Sequence, residues 1–389
     1  MFLNCEVKLS ARSFLRYRWM EASTSQNFIP FRSLLRNYFL LLLCLFTTQH
    51  SFAQKKNYFY TNKGYGSEAL FNPISLIING AYDVTQLQSV TNKIHDPDFS
   101  RKARVVFKNL GNPFESIRNY GVSKFITGEF LTLKWEKGNM QWIPNYQNHL
   151  IGGGMLYAAM REWYDEHNFP VPWLFSSATL MTQHLLNEIY ESGAHEGWSV
   201  DEVSDIYIFD LGGIVLFSFD SVSEFFSETL NFSDWSLQST ITAPNGRVNA
   251  GQYFSLKWQL PFSEEYSLFY RYGMGGVVGL SKKMDEENNL SAGLGFRTKH
   301  LIDVGPNRQR TIETGWQLGI FYDRNNSLIA SVVLSGIKEY FCSIDIYPGI
   351  IKFGEFSPGV WTVIGRNGNA MFGLTTKYVL SLGYEVGSN

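Results

Sequence analysis

Residues 372–385 read Phe-Gly-Leu-Thr-Thr-Lys-Tyr-Val-Leu-Ser-Leu-Gly-Tyr-Glu, and this alternation constrains the fold more than any other feature. Phe372, Leu374, Thr376, Tyr378, Leu380, Leu382 and Tyr384 share one parity, while Gly373, Thr375, Lys377, Val379, Ser381, Gly383 and Glu385 share the other. A period of two separates these sets on a β-strand and scrambles them on a helix. The same alternation runs through Asn289–Arg297 and Thr314–Tyr322, and turn chemistry sits between the runs at Pro244-Asn-Gly246, Asp323-Arg-Asn-Asn326 and Arg366-Asn-Gly368. A soluble β-sandwich also alternates, but its solvent face carries Lys, Glu and Thr. Here the second face is Gly, Ser, Gln and Thr with an occasional charge, as in a barrel lumen, and aromatics gather toward the ends of the apolar face. The pattern predicts a mainly β protein with a helical subdomain: an antiparallel transmembrane β-barrel of about 10–12 strands, each of roughly 9–11 residues, with apolar helices packed in or beneath the lumen.

Composition agrees with that choice and removes others. Lys and Arg number 33 against 35 Asp and Glu, which excludes the basic footprint of a nucleic-acid partner. Charged residues are 17% of the chain, below the roughly 25% of soluble domains, while aromatics reach 16%. Past the N-terminus there is no apolar run of about 20 residues, so a polytopic helical membrane protein is excluded. Apolar residues are too plentiful for disorder.

Residues 1–53 read as an N-terminal extension and signal peptide. Arg32 and Arg36 precede the apolar run Tyr38–Phe46, and Ser51 and Ala53 occupy the small-residue positions of a cleavage site, so Gln54 is the expected mature N-terminus. Cleavage removes Cys5 and Cys44 and leaves Cys342, on the apolar parity of a strand, as a small hydrophobe without a disulfide partner. Residues 54–144 form a mixed region. Helices open at Asn72-Pro73 and Asn112-Pro113, where proline is preorganised for the first helical position. Extended runs are expected at Arg104–Phe107 and Phe130–Trp135, with a hairpin turn at Lys137-Gly-Asn139. Residues 145–230 form an apolar helical segment, or plug, with helices over about His149–His167, Trp173–Glu191 and from Ser199 toward Phe226. Residues 231–389 supply the barrel strands.

Within the helical segment, Pro144-Asn-Tyr-Gln-Asn-His149, Gly152-Gly-Gly154, Tyr157-Ala-Ala and Arg161 are followed by Asn187, Glu188 and Glu191, then by Ser199 to Asp205 and Gly212-Gly-Ile214. On these residues the chain resembles a family of uncharacterised gram-negative outer-membrane β-barrel proteins, which carry an apolar helical segment before most of their strands. The resemblance covers about a fifth of the chain. It implies an outer-membrane location, membrane lipid as partner and insertion by the outer-membrane assembly machinery; it brings no established activity. The chain departs from barrel proteins in ending Gly383-Tyr-Glu-Val-Gly-Ser-Asn389 rather than on an aromatic residue.

Chemistry-bearing residues concentrate on the second helix of the plug. His184, Asn187, Glu188 and Glu191 stand at i, i+3, i+4 and i+7, on one face. In an apolar bundle such groups need partners or water. His184, Glu188 and Glu191, with His149 and Arg161, are the candidate catalytic residues. A stripe that faces a hydrated lumen and pairs with Arg161 is the structural alternative. No metal or cofactor is assigned, because the two-His helical zinc motif is absent and a third ligand cannot be named from sequence. A strand-borne Ser–His pair is poorly supplied, since His300, placed in a loop after Lys299, is the one histidine in the strand half. Gly152-Gly-Gly154 fits close helix packing better than anion binding, and P-loop and Gly-x-Ser-x-Gly patterns are absent. Three functions stay open: envelope structure or passage of a small solute or lipid, a membrane-lipid hydrolase or acyl-modifying enzyme using His184 and Glu188, and a secreted β-rich binding module.

Overall fold

In the computed structural model the alternating half of the chain forms strands, thirteen rather than the expected 10–12 or so, and most are shorter than the roughly 9–11 residues expected. The structure describes residues 56–87, 91–131, 142–192, 199–304, 309–377 and 381–387. The signal peptide with Gln54, Thr132–Trp135, the turn at Lys137–Asn139 and Tyr378 lie outside the described residues. Asn57–Asn389 form one compact unit.

The strands are β1 (Ser233–Asp234), β2 (Thr240–Ala243), β3 (Val248–Asn249), β4 (Phe254–Gln259), β5 (Tyr266–Tyr272), β6 (Gly275–Lys283) and β7 (Asn288–Val304). They continue with β8 (Gln309–Arg324), β9 (Ser327–Ser335), β10 (Cys342–Ile346), β11 (Gly359–Ile364), β12 (Ala370–Thr375) and β13 (Ser381–Val386). From β4 to β13 each strand pairs antiparallel with the next, as short hairpin connections require. The β8–β9 turn is a two-residue loop with Asn325 and Asn326 at φ 48° and 65°, a type I′ geometry that asparagine tolerates.

Two features differ from the expected closed, wholly antiparallel barrel. The 13-stranded sheet is open, its order running from β1 through β4–β13 to β2 and β3, and β13 meets β2 in parallel register. The seam has a local cause. Ser233–Ala243 pairs with β4 at its start and β13 at its end, and folds back on the run into β4 through Trp235 N–H to Tyr253 O and Leu237 N–H to Gly251 O. One bent hairpin therefore occupies both edges of the sheet, and a direct β4–β13 ladder has no place to form.

The two faces differ as the alternation demands. A hydrogen-bonded row across ten strands reads Trp258, Leu268, Leu280, Ala292, Ile320, Val332, Ile344, Thr362, Phe372, Tyr384, and these side chains point outward, exposed or half-buried. The adjacent row reads Lys257, Phe269, Gly279, Gly293, Gly319, Val333, Ser343, Val363, Met371, Glu385, and faces inward. Phe372–Glu385, expected as one long strand, instead folds back as the antiparallel hairpin of β12 and β13. Leu374 and Leu382 are exposed and Thr375 is buried as assigned, whereas Lys377, assigned inward, lies past the end of β12 and is exposed, and Ser381 is half-buried. Cys342 is a free thiol sharing the half-buried parity of Ile344. The inner face holds Lys257, Arg271, Arg297, Asp323 and Asp345, all buried, beside an aromatic core built on Trp235, Phe269, Phe321 and Tyr347.

Helices pack against this inner side. Helix α1 (Pro73–Ala81) starts where predicted, Asn72 Oδ1 accepting the N–H groups of Ile74 and Ser75 at 3.0 Å. The run at Arg104–Phe107, expected to be extended, lies inside helix α2 (Phe99–Gly111). There Val106 and Asn109 are buried while Arg101, Arg104 and Lys108 point away, so tertiary packing overrides the β-propensity of Val-Val-Phe. Helix α3 (Pro113–Tyr120) follows. A π-helical run, Ile143–Gly153, continues directly into α4 (Gly154–Glu166); α5 is Pro172–Glu191. Helix α6 joins Asp201–Ser204, a π-helical run Asp205–Asp210 and Leu211–Leu216. Among the described residues no single helix is long and apolar enough to cross a membrane. His300 is not in a loop: it sits within β7 opposite Glu313, just past a register shift.

Candidate active site

Three helices bring the reactive groups together because glycine lets them approach. A Cβ on Gly213 of α6 would stand 2.6 Å from the Leu150 carbonyl oxygen, and one on Gly154 would stand 2.8 Å from that of Gly213. A Cβ on Gly153 would lie 3.2 Å from Cε1 of His184. Gly152-Gly-Gly154 is thus a packing element, and it leaves the room that the His184 ring occupies.

Into that contact the π-helical run projects His149, α5 projects His184 and Glu188, and α6 projects Asp205 and Asp210. His149 Nδ1 lies 2.9 Å from Asp210 Oδ1 and 3.4 Å from His184 Nδ1. His184 Nδ1 abuts Asp210 Oδ2. On its far side His149 Nε2 lies 3.5 Å from Asp205 Oδ2, and Glu188 joins that second group. The rings of His149 and His184 meet edge to face, with centroids 4.9 Å apart. Asp210 is fully buried, His184 and Glu188 nearly so, and the His149 side chain keeps 13% of its surface.

Electrostatics separate these groups. Burial works against a charged His149, but Asp205 and Asp210 outweigh it and lift the imidazole to about 10. Burial likewise opposes ionisation of Asp210, yet the charges of His184 and His149 hold its carboxyl below the usual range. Burial pushes Glu188 and Asp205 well up; the charge of Asp205 is the largest further contributor at Glu188, while His149 partly offsets the rise at Asp205. The centre therefore pairs one anionic carboxylate with two imidazoles, backed by two carboxyls that resist ionisation.

The sequence-predicted residues divide accordingly. His149, His184 and Glu188 converge, but the partner of His184 is Asp210, whereas Glu188 sides with His149 and Asp205. Glu191 belongs to neither group, although its charge reaches both His149 and Asp83. Asn187 is structural: its Nδ2 donates to Gly80 O and Asp83 Oδ1, both at 2.8 Å, tying α5 to α1. Arg161 points elsewhere, its guanidinium 5.9 Å from the Tyr157 ring centroid. Next to it, Glu162 accepts the N–H groups of Tyr58, Phe59 and Tyr60 at 2.8–2.9 Å and anchors the start of the described chain. Two cavities, of about 80 and 20 Å³, lie along Tyr58–Phe71 and Asp234–Leu237 and do not include His184 or Glu188.

Asp205 and Asp210 are the residues that sequence reasoning missed as a pair. Five residues of α-helix turn through about 500°, which leaves two side chains about 140° apart. The π-helical run between them, with i→i+5 bonding, brings both onto the side that meets His149. A spacing of five between acidic residues in an apolar helix is the available signal.

Comparison of the chain with protein-family models, with curated proteins and with solved structures returns no match.

Proposed function

We propose that the chain is an integral outer-membrane β-protein whose helical layer carries a hydrolytic or acyl-modifying centre for membrane lipid. The reading is carried by one observation: two imidazoles and a buried carboxylate meet at hydrogen-bonding distance, in a protein whose outer face is apolar across ten strands. Ten strands at about 4.8 Å spacing span roughly 43 Å. An apolar band that wide exceeds what a soluble surface carries without a partner, and lipid is the partner that covers it evenly. In this reading the open sheet is the lipid-facing wall, and the hairpin holding β1–β4 runs along both of its edges.

His184 is the candidate base and Asp210 its orienting carboxylate, an arrangement that generates a nucleophile from water or an alcohol. His149, partly exposed, is the group nearest to an entering substrate. Tyr146 and Phe130 pack on Phe209, the neighbour of Asp210, and Phe130 is partly exposed, so the apolar surface beside the site suits an acyl chain. Passage of a solute is less well supported, since Trp235, Phe269 and Phe321 fill the inner side of the sheet. An envelope-structural role is the second reading, favoured by the ties that Asn187 and Glu162 make to neighbouring segments.

Protein extracted from isolated outer membranes should show heat-modifiable gel mobility and release fatty acid from ester-linked phospholipid vesicles. His184→Ala should abolish release and keep the mobility shift. Full release by that variant, or loss of stability alone, refutes the catalytic reading and leaves the structural one.

A further inference from the structure

We propose that His149 Nδ1, His184 Nδ1 and the Asp210 carboxylate form a binding site for one divalent transition-metal ion of the zinc class. The inference rests on the hydrolytic reading only for what the bound ion would serve; the binding itself stands on geometry. It changes the role of two residues in that reading: with an ion bound, His184 and Asp210 would be ligands rather than base and orienting group, and the ion would supply the activated water. Two nitrogens each about 2.0–2.1 Å from a tetrahedral zinc lie about 3.3–3.4 Å apart, and His149 Nδ1 and His184 Nδ1 are 3.4 Å apart. Asp210 Oδ1 is 2.9 Å from the first nitrogen, and Oδ2 abuts the second. Oδ2 is buried against His184 Nδ1, so both carboxylate oxygens are aimed into the cluster.

The surroundings fit a ligated imidazole. When Nδ1 of a histidine binds a metal, Nε2 carries the proton and needs an acceptor. Asp205 Oδ2, 3.5 Å from His149 Nε2, is that acceptor, and Glu188 stands behind it. Gly153 keeps space for the His184 ring, whose approach a Cβ would crowd. Two imidazoles favour a zinc-class ion over calcium or magnesium, which take oxygen ligands. Three protein ligands leave the fourth position for water, the pattern of catalytic rather than structural zinc sites. The alternative set, His149 with Glu188 and Asp205, has one nitrogen against two, and serves better as the outer shell.

The test uses the full mature protein in detergent, stripped with a chelator and titrated with Zn²⁺ by calorimetry and with Co²⁺ by visible absorption. The expected result is one equivalent of Zn²⁺ per chain, and a Co²⁺ spectrum of four-coordinate type that Zn²⁺ displaces. His184→Ala should lose both signals. Asp205→Asn, which spares the three ligands, should weaken binding by about 10–100-fold, the usual effect of removing an outer-shell partner. Heat-modifiable mobility identifies the folded variants. Absence of stoichiometric binding to folded wild-type protein, or binding unchanged in folded His184→Ala, overturns the site. Zinc binding without lipid hydrolysis would instead refute the functional reading and leave the metal site standing; hydrolysis by folded protein that binds no zinc would do the reverse.

Discussion

Replacing Lys257 with methionine should be among the most damaging single changes on the inner face of the sheet. Lys257 Nζ lies 2.6 Å from Asp323 Oδ1, and the two residues are 3% and 0% exposed. At an effective dielectric of about 20, unit charges at that distance attract by about 6 kcal/mol. That energy offsets the cost of taking both charges out of water. Methionine keeps the length and packing of the lysine stem but leaves Asp323 with the Asn289 amide at 3.1 Å as its remaining polar partner on Oδ1. Oδ2 already lacks a hydrogen bond among the described residues. Truncating one member of a buried pair costs about 3–5 kcal/mol, whereas replacing both by apolar residues is often neutral or stabilising. Lys257→Met should therefore lose about 3–5 kcal/mol, and Lys257→Met/Asp323→Leu should recover most of it. The assay is urea unfolding in detergent micelles, followed by tryptophan fluorescence. A loss below about 1 kcal/mol for the single variant, or a double variant no better than the single, would refute the buried-pair reasoning.

Two further outcomes follow from other parts of the molecule. Leu294, 72% exposed between Val278 and Leu318, should cost about 2–4 kcal/mol when replaced by Arg in a bilayer; equal stability of Leu294→Arg and wild-type protein in lipid vesicles would contradict a lipid-facing position. Burial, aided by the charge of Glu191, raises the Asp83 carboxyl to about 7, so the folded state binds its proton more tightly than the unfolded chain and loses stability as pH rises from about 4 through 7. Asp83→Asn, which can still meet the Asn187 amide, should remove that loss and gain about 1–2 kcal/mol above pH 7 after discounting for partial exposure; an unchanged pH profile of unfolding would exclude the effect.

The strands were legible because a period of two separates an outward from an inward set in runs such as Asn289–Arg297 and Thr314–Tyr322. The same period hid the hairpin in Phe372–Glu385, where the alternation continues from β12 into β13. Helix starts at Pro73 and Pro113 were legible from local chemistry alone. What escaped depends on contacts between distant segments. Arg104–Phe107 carries β-formers, and its helix exists because Val106 and Asn109 are buried in the helical layer. The seam depends on Ser233–Ala243 pairing with β4 and with β13, a register that no local pattern announces. The site was half visible: His149, His184 and Glu188 stood out as ionisable groups in apolar helices, whereas Asp205 and Asp210 fall on different faces of a regular helix. Their convergence required the π-helical run, which has no signature in hydrophobic periodicity.

Four tryptophans test membrane residence directly. Trp258 and Trp316 stand on the outer face, 53% and 50% exposed, while Trp235 and Trp361 are buried on the inner side at 0% and 1%. Variants keeping one of these four, refolded into vesicles of brominated phospholipid, report contact with acyl chains through fluorescence quenching. Strong quenching of Trp258 and Trp316 with none at Trp235 and Trp361 is the expected result. Quenching of Trp258 and Trp316 by aqueous acrylamide but not by brominated lipid would show that the apolar face meets water or another protein, and would contradict the membrane reading.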